Sequence, residues 1–455
     1  MAISTGVTRR FPDAAAARQA LLVDRGLSSA DPGILPASVR ATIQATFGAD
    51  LSAEQVVRRV LDDVRAEGDA ALRRYTAAFD GVTLDALRVP SSSIEAAVER
   101  VGASVMHALE LAAERIRSFH EHARRRSVWL EYTPGGGALG QLIRPLDRVA
   151  VYAPGGRAPY PSSVLMAAVP ARVAGVAEVL LASPPNRATG DVADVLLAAA
   201  RVAGVDAVYR IGGAQAIAGL AWGSETLPRV DKIVGPGNLF VMLAKRLVYG
   251  QVGIEALAGP TECVVVADDS ADAGWVAADL LAQAEHDPLA SSLLITPDHD
   301  LAERVSVELA NQLVDLPRRA IVEASLASRG GIAEVASLEE AIDLANDFAA
   351  EHLCLAVRDA WRWLPRIHHA GGVFVGELNA EAVGDYTAGP SHIMPTGGTA
   401  RFSSPVNVDD FVKVISVFAL SEGDVRAAGP AAVSLARAEG LEAHARAVER
   451  RLRAL

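Results

Sequence analysis

Apolar residues recur every three or four positions through much of the first third of the chain, a spacing that predicts amphipathic helices. One such pattern covers residues 52–79 and another covers 91 to about 126, and Ser52 and Ser91 are suited to cap them. Residues 1–45 lack a long pattern of this kind and contain several prolines. We expect them to form an N-terminal arm or a short helical segment.

From about residue 148 the pattern changes to short apolar runs separated by longer helical patterns. The predicted strands cover residues 148–152, 178–182, 207–211, 232–234, 263–267, 292–296, 331–335, 353–357 and 372–375. Strands that alternate with helices of ten or more residues form βαβ units and parallel sheets. Because there are too many strands for one modest sheet, we predict an α/β fold. It has two doubly wound, incomplete Rossmann-like parallel-sheet domains and small helical N- and C-terminal segments.

Residues 250–260 make a natural crossing between the two predicted sheets. The predicted organisation is an N-terminal arm (1–45), a discontinuous α/β domain (46–150 and 261–405), a second α/β domain (151–260) and a C-terminal segment (406–455). The last segment returns to a helical pattern, with breaks near Pro430 and Gly440.

The composition is that of a soluble globular protein with a large core. Hydrophobic residues make up 51% of the 455 residues and charged residues 22%. The formal net charge of -12 argues against nucleic acid as a partner, because such binding depends on neutralising phosphates. The longest apolar stretch, 164–182, contains Pro170, Arg172 and Glu178, so no membrane span is expected.

Two cysteines, Cys263 and Cys354, are present, each in an apolar run that predicts a buried strand. Their number excludes a disulfide framework, and their spacing does not match a metal-binding knuckle. The N-terminal residues include Arg9 and Arg10 but no convincing apolar stretch, so no signal peptide is expected. A reducing cytoplasm fits these features best.

Three glycine-rich turns stand between a predicted strand and the helix that follows it, at 154–156, 212–215 and 235–238. Glycine lets the backbone approach a phosphate, and a helix N-terminus offers unpaired N–H groups. All three turns follow the carboxyl ends of strands, where open α/β sheets bind ligands. None matches the G-x-G-x-x-G fingerprint. Ordinary tight turns and a nucleotide site are therefore both open interpretations.

Gln283 and His286 lie three residues apart at the end of an apolar helical pattern that starts near Trp275. On a helix this spacing places both side chains on one face. Pro288 disfavours a helical conformation at Asp287, so the helix is expected to end here. A solvated polar turn would explain this pair by itself. A functional interpretation becomes stronger only if similar groups recur downstream.

Three further histidines lie near an acid in the second half of the chain. The groups are Glu351 with His352, Asp385 with His392, and Glu439 with His444. The stretch 384–404 contains few apolar residues, and long irregular loops are usually functional. Histidine nitrogen and carboxylate oxygen suit zinc, whereas the absence of an H-E-x-x-H helix argues against the commonest metalloprotease. The spacing alone does not show that these groups converge.

The same residues stand within longer strings that resemble the histidinol dehydrogenase family. The strings are IGGAQAIA at 211–218, VDKIVGPGN at 230–238, AGPTE at 258–262, QAEH at 283–286, EHL at 351–353, the loop 384–404 and EGLEAH at 439–444. They cover nearly the whole chain in the family's order. The resemblance implies an enzyme with one zinc ion per subunit and NAD as cofactor. It would use two NAD+ to oxidise L-histidinol through L-histidinal to L-histidine, the last step of histidine biosynthesis.

The resemblance also implies roles for individual residues. Glu351 would activate water, and His352 would be the general base in both oxidations. The implied zinc ligands are Gln283, His286, Asp385 and His444. The implied substrate contacts are Thr261, Gln283, His286, His352, Asp385, His392, Glu439 and His444. The implied NAD contacts are Tyr152, Gln215 and Asn238, within the 151–260 domain.

In this family the last zinc-binding histidine comes from the partner subunit. The resemblance therefore implies a homodimer with a shared active site, in which the 406–455 segment is exchanged. The zinc and catalytic residues would belong to the discontinuous domain. Thr261 departs from the usual serine, but both residues offer one hydroxyl, so we expect altered packing and retained chemistry.

Three other functions are open alternatives. A paralogous dehydrogenase of the same fold would act on another polar alcohol, such as a sulfonated diol. A zinc hydrolase would need no nicotinamide, and a catalytically silent scaffold would bind no metal. The pair His392 and Glu439, which is suited to face an imidazole, favours histidinol over a diol.

Overall fold

The computed structural model describes residues 3–4, 8–22, 25, 35–155 and 159–455 of the chain. Part of the predicted N-terminal arm and Gly156 of the first glycine turn lie outside the described residues. The strands are β1 (Ile3–Ser4), β2 (Arg9–Phe11), β3 (Val128–Tyr132), β4 (Ala138–Pro145), β5 (Arg148–Tyr152), β6 (Glu178–Ser183), β7 (Ala207–Arg210), β8 (Lys232–Val234), β9 (Gly253–Ile254), β10 (Glu262–Ala267), β11 (Ser291–Thr296), β12 (Gly331–Glu334), β13 (His352–Ala356), β14 (Gly372–Val375) and β15 (Val412–Ala419).

The helices cover both parallel sheets and end the chain. They are α1 (Ala14–Leu21), α2 (Ala37–Phe47), α3 (Ala53–Glu67), α4 (Asp69–Tyr75), α5 (Ser91–Val101), α6 (Ala103–His122), α7 (Pro161–Ala174), α8 (Asp194–Ala203), α9 (Gly213–Trp222), α10 (Leu239–Val248), α11 (Ala273–Ala284), α12 (His299–Leu313), α13 (Arg319–Ser328), α14 (Leu338–Phe348), α15 (Ala360–Trp363), α16 (Glu381–Tyr386), α17 (Glu422–Ala438) and α18 (Glu442–Ala454). In the described ranges, no helix is long and apolar enough to cross a membrane.

Seven strands form one sheet in the order β1-β2-β12-β11-β10-β13-β14. Neighbouring strands run parallel except for β1 and β2. Strands β10, β11 and β13 are buried along their whole length. They are buried because α1 and α14 cover one face while α11, α12 and α13 cover the other, as is usual for parallel sheets.

Five parallel strands form a second sheet in the order β7-β6-β5-β8-β9. Helices α7 and α8 contribute to the apolar cluster on one face, and α9 and α10 contribute to the cluster on the other. The two sheets with helices on both faces confirm the predicted α/β class and its two doubly wound domains.

The packing of the first third of the chain differs from the predicted grouping of 46–150 with 261–405. Helix α3 packs on α9 and α10, and α5 and α6 pack on α8 and α7. Their apolar faces therefore complete the core of the five-stranded sheet. Part of the predicted N-terminal arm belongs to the seven-stranded sheet, because β2 pairs with β12.

A third, antiparallel sheet was not predicted from the sequence. Strand β4 pairs with β3 on one side and with β15 on the other. Residues 412–419 are thus a strand, although 406–455 was predicted to be helical throughout. All five residues of β3 are exposed, and most of β15 is exposed as well. Helices α17 and α18 follow this sheet and pack mainly on each other.

Candidate active site

The predicted catalytic residues Glu351 and His352 and the predicted substrate contact Thr261 lie at the amino ends of two neighbouring strands in the seven-stranded sheet. Thr261 directly precedes β10, and Glu351 directly precedes β13, which begins at His352. The register pairs Cys263 with His352. Because the two strands are parallel and adjacent, this register brings Thr261 and Glu351 together as well.

The Glu351 carboxylate is buried and accepts two hydrogen bonds at Oε2. The Thr261 hydroxyl donates one, and the backbone N–H of Glu262 donates the other at 3.0 Å. Burial raises the pKa of Glu351, while His352 and the two donors oppose that rise. A raised pKa makes the ionised carboxyl group a stronger proton acceptor.

The His352 imidazole is buried, and its two nitrogens have different surroundings. Nδ1 lies 3.2 Å from the carbonyl oxygen of Glu262, a contact that assigns the proton to Nδ1. This tautomer leaves Nε2 as the basic nitrogen, and Nε2 forms no hydrogen bond within the described chain. Burial disfavours protonation, but the surrounding carboxylates outweigh it and raise the pKa of His352 above its ordinary value.

Two of those carboxylates come from one face of α16. Glu381 and Asp385 are four residues apart, a spacing that aligns side chains on a helix. Glu381 Oε1 lies 3.5 Å from Nδ1 of His352, and Asp385 Oδ1 lies 3.5 Å from Nε2. Burial raises the pKa of Glu381 to about 7. Burial has the same tendency at Asp385, but the neighbouring His352 outweighs it and lowers the pKa of Asp385.

Gln283 lies in the last turn of α11 and is fully buried. One end of its carboxamide lies 2.7 Å from both the Glu262 backbone N–H and the Thr261 hydroxyl oxygen. The other end lies 2.5 Å from Oε1 of Glu381. The Glu262 N–H can only donate and Oε1 of Glu381 accepts, so these two partners assign the amide oxygen to the first end and the NH2 group to the second. The side chain therefore connects β10 with α16.

His286 and His392 lie close to Asp385. Burial lowers the pKa of both imidazoles, and the charge of Asp385 opposes the effect in each case. Nδ1 of His392 lies 2.7 Å from the backbone carbonyl oxygen of Asp385, and Nε2 lies 3.1 Å from the hydroxyl of Ser163 on α7. Because α7 belongs to the five-stranded sheet, His392 links the two sheet units at the site.

Glu439 and His444 do not join this group within one subunit. Glu439 ends α17 and His444 lies in the first turn of α18, and both are exposed. Neither side chain forms a hydrogen bond or an ion pair with any part of the described chain. The structure therefore brings together Thr261, Gln283, His286, Glu351, His352, Asp385 and His392, and leaves Glu439 and His444 outside.

The three predicted metal ligands from the body of the subunit fit zinc in their chemistry. Gln283, His286 and Asp385 offer an amide oxygen, an imidazole nitrogen and a carboxylate oxygen, all donor types that zinc accepts. The lowered pKa of His286 favours the neutral imidazole that a metal requires. Three ligands leave one position of a tetrahedral site to be filled by another group.

The described residues also contain two compact groups of potential ligand atoms, each within 4.8 Å. One consists of His352, Glu381 and Asp385, and the other of Cys263, Cys354 and Glu381. The hydrogen bond with Cys354 and, next, burial keep the pKa of Cys263 well above its ordinary value, so its thiol stays protonated. The neutral thiol favours a packing role for the second group.

The predicted nucleotide contacts lie at the carboxyl ends of strands in the five-stranded sheet. Tyr152 ends β5, and its hydroxyl oxygen accepts a hydrogen bond from the Gly213 N–H at 3.1 Å. Gln215 lies in the first turn of α9 with 1% of its surface exposed. In the part of the chain that the structure describes, neither end of its carboxamide has a hydrogen-bond partner. A buried amide without partners is costly unless a ligand satisfies it, so this site fits a polar ligand such as NAD.

Asn238 caps the N-terminus of α10 after the glycine turn at 235–237. Its side-chain oxygen accepts hydrogen bonds from the backbone N–H groups of Phe240 and Val241 at 3.0 and 3.2 Å. Gly235 has a φ of 126°, a conformation that favours glycine, and a side chain there would collide with the Tyr152 backbone. Because position 235 has no side chain, the turn can pack directly against the Tyr152 backbone.

Comparisons with known proteins assign this arrangement to a family. A family model described as histidinol dehydrogenase matches residues 46–452. The chain is 54% identical over 421 residues to the histidinol dehydrogenase of Deinococcus radiodurans, covering 92% of this chain and 95% of that protein. The chain belongs to the histidinol dehydrogenase family. It is also 53% identical over 397 residues to the Moorella thermoacetica enzyme of that name, covering 87% of this chain and 93% of the other.

A solved structure supports the same family. The crystal structure of histidinol dehydrogenase from Elizabethkingia anophelis matches with a TM-score of 0.85 and 35% sequence identity. The match covers 92% of this chain and 97% of that chain. Family membership makes the protein an oxidoreductase and confirms the resemblance read from the sequence.

Two buried carboxylates near the site, Glu381 and Glu262, were not predicted from the sequence. Glu381 contacts both Gln283 and His352. Glu262 forms a buried ion pair with Arg25 at 3.3 Å, and burial raises its pKa to about 7. Glu381 precedes the predicted ligand Asp385 by one helical turn, which was the only signal for it in the sequence.

Proposed function

We propose that the protein is an NAD- and zinc-dependent histidinol dehydrogenase. It oxidises L-histidinol through L-histidinal to L-histidine, the last step of histidine biosynthesis. The observation that carries this proposal is the buried pair of Glu351 and His352, two proton-transfer groups in contact with the residues that would hold zinc. Oxidation of an alcohol to an acid needs two such groups, because its two steps make different demands.

His352 serves as the base in both oxidations. A carbinol carbon gives up hydride only as its hydroxyl loses a proton, so a base must lie next to that hydroxyl. The Glu262 carbonyl fixes the Nδ1–H tautomer, which directs the lone pair of Nε2 towards the space beside Asp385. The imidazolium that forms is stabilised by the neighbouring carboxylates.

Glu351 serves the second oxidation. An aldehyde must add water before it can lose a second hydride, and a carboxylate is suited to take the proton from that water. The Thr261 hydroxyl and the Glu262 N–H hold Glu351 in place. Since Thr261 donates this hydrogen bond through its hydroxyl, its extra methyl group leaves the contact intact.

Zinc would be held by Gln283, His286 and Asp385 together with His444 of the partner subunit. When bound, zinc keeps the amino alcohol and the imidazole of the substrate in register. His392 lies beside Asp385, where it would contact the substrate. Glu439 of the partner subunit would accept a hydrogen bond from the substrate imidazole, which favours histidinol over a diol.

A homodimer accounts for the exposed position of Glu439 and His444. Their helices pack mainly on each other, so they extend from the body of the subunit. The adjoining antiparallel sheet exposes several large apolar side chains, namely Trp129, Leu130, Tyr132, Val414, Ile415 and Phe418. Several large exposed apolar side chains on one small sheet are typical of a protein–protein interface. Pairing of two subunits would cover it and bring the C-terminal helices to the partner's site.

NAD would bind at the carboxyl ends of the five-stranded sheet and accept a hydride in each oxidation. The polar groups available there are the amide of Gln215, which has no partner among the described residues, the Tyr152 hydroxyl and the NH2 group of Asn238. We also expect the enzyme to be cytoplasmic, since Cys263 and Cys354 are free thiols.

Steady-state NADH formation tests the proposed function. The purified, zinc-loaded protein is assayed with L-histidinol and, in parallel, with a panel of polar alcohols that includes a sulfonated diol. We expect turnover with L-histidinol at much lower concentration than with any other alcohol. Turnover with a diol alone would identify the paralogous activity, and absence of turnover with L-histidinol would contradict the proposal.

A further inference from the structure

Glu381 connects two groups of the site that lie on different elements. Its Oε1 lies 2.5 Å from the NH2 nitrogen of Gln283 on α11 and 3.5 Å from Nδ1 of His352 on β13. Only 2% of the residue is exposed. We propose that Glu381 is a positioning residue that sets the orientation of the Gln283 amide and the His352 ring. This inference rests on the proposed function, since it concerns the same metal ligand and the same base.

The contact with Gln283 decides which end of the carboxamide faces which neighbour. Oε1 of Glu381 accepts a hydrogen bond from the carboxamide, so it faces the NH2 end. The amide oxygen is then directed to the opposite side, towards Thr261 and the Glu262 N–H. The oxygen of a carboxamide can bind a metal, whereas its NH2 group only donates. Glu381 thus fixes which end of the carboxamide is the NH2 group and which is the oxygen that can act as a ligand.

The contact with His352 places a negative charge at the edge of the ring opposite the basic nitrogen. Glu381 and Asp385 approach Nδ1 and Nε2 respectively, each at 3.5 Å. The Phe374 ring packs near the imidazole, with 5.8 Å between centroids. The ring is therefore held on both edges by one helix, and its cationic form is stabilised each time Nε2 takes up a proton.

Two neutral thiols also lie next to Glu381. Thiols of Cys263 and Cys354 lie within 4.8 Å of one of its oxygens, and both are buried. The cysteines come from the neighbouring strands β10 and β13, in front of which Thr261 and Glu351 lie. Neutral thiols can donate weakly to the carboxylate but do not repel it. This environment explains two small buried cysteines directly behind the site.

The test compares Glu381→Gln with wild type in two independent measurements. The first is zinc affinity of the metal-free protein, measured by competition with a chromophoric chelator in the absence of substrate. The second is the separation of kcat from KM in histidinol oxidation. Replacing a residue that orients a metal ligand typically costs about 10–100-fold in affinity or activity. We expect losses of that order in zinc affinity and in kcat, with KM for NAD+ unchanged.

Two further variants separate positioning from folding. Glu377→Gln is the matched control. Glu377 lies four residues before Glu381, and its one hydrogen bond within the described residues comes from the Asp272 N–H. It should leave both measurements at the wild-type values. Glu381→Asp keeps the charge and should restore part of both losses.

The outcomes distinguish the two proposals. The inference is overturned if Glu381→Gln has the zinc affinity and the kcat of the wild type, whether or not its melting temperature is lower. If the wild type does not oxidise L-histidinol, the proposed function fails, while zinc affinity still tests Glu381 by itself. A loss of zinc affinity in Glu381→Gln that Glu377→Gln does not share would then support the positioning role alone.

Discussion

Oδ1 of Asp385 lies 3.5 Å from Nε2 of His352, the nitrogen that the tautomer leaves free to accept a proton. Asp385 is also a proposed zinc ligand. Metal binding and proton transfer therefore meet at neighbouring atoms, and a substrate hydroxyl held by the metal would lie next to the base. This relationship connects the roles of the two residues and leads to the following predictions.

Replacing His352 should slow both oxidations. His352→Asn keeps a side chain of similar size but removes the basic nitrogen, and general base catalysis typically contributes about 100–10,000-fold. We expect kcat to fall within that range with L-histidinol and with L-histidinal as substrate. His299→Asn is a suitable control, since His299 is exposed and forms an ion pair with Glu334 away from the site. Normal oxidation of either substrate by His352→Asn would contradict the assignment.

Replacing Glu351 should slow the second oxidation selectively. In Glu351→Gln the side chain can still accept from Thr261 and the Glu262 N–H, but it no longer takes a proton from water. We expect L-histidinal oxidation to fall by about 100-fold or more and alcohol oxidation to fall much less. Single-turnover experiments with each substrate measure the two steps separately. An equal loss in both steps would refute this division of roles.

Mixing two inactive variants tests the exchange of the C-terminal helices. In a heterodimer of His286→Ala and His444→Ala subunits, one site receives both substitutions and the other receives neither. Refolding the two proteins together should therefore restore part of the activity, although each is inactive alone. The heterodimer is isolated by two affinity tags and assayed for NADH formation. Isolated heterodimers without activity would show that His444 does not cross between subunits.

Stability near the nucleotide site should depend on pH through Asp80. Burial raises the pKa of Asp80 from 3.8 to about 7, although Arg187 opposes the shift. Because the folded pKa lies above the unfolded one, its stabilising contribution is complete below about pH 4 and is lost as the pH rises towards 7. Asp80→Asn removes this dependence, so it should be more stable than wild type at pH 8 and lose that advantage at pH 4.

Urea unfolding of both proteins across this pH range measures the difference in the free energy of unfolding. Asp85→Asn provides the control, because Asp85 is exposed and lies five residues away. A difference between Asp80→Asn and wild type that does not change with pH would contradict the shifted pKa.

The sequence predicted the two parallel sheets because their strands are short, apolar and separated by helical patterns. It could not predict the antiparallel sheet in the same way. Strand β15 pairs with β4 from a distant part of the chain, and β3 is exposed in a single subunit, so neither is a continuous buried run. The packing of α3 on α9 and α10 was missed for a related reason. An amphipathic pattern shows that a helix has an apolar face, but not which sheet covers it.

The candidate site was predicted residue by residue from the family resemblance, and the structure adds how its members are held. Glu381 was missed because it stands alone in a short helix without a neighbouring histidine in the sequence. Its role becomes visible only when α11, α16 and β13 are seen together. For His444 the sequence was more informative than the structure. Its motif is clear in the sequence, but its side chain is exposed in the single subunit. In the proposed dimer it would join the site of the partner subunit.

The central claim is that this site carries out two successive oxidations on one substrate. The most direct measurement is the product stoichiometry after complete conversion of a limiting amount of L-histidinol with excess NAD+. NADH is followed by absorbance, and L-histidine and L-histidinal are quantified by chromatography. The account predicts two NADH and one L-histidine for each L-histidinol, without accumulation of the aldehyde. One NADH with L-histidinal as the final product, or no NADH at all, would contradict it.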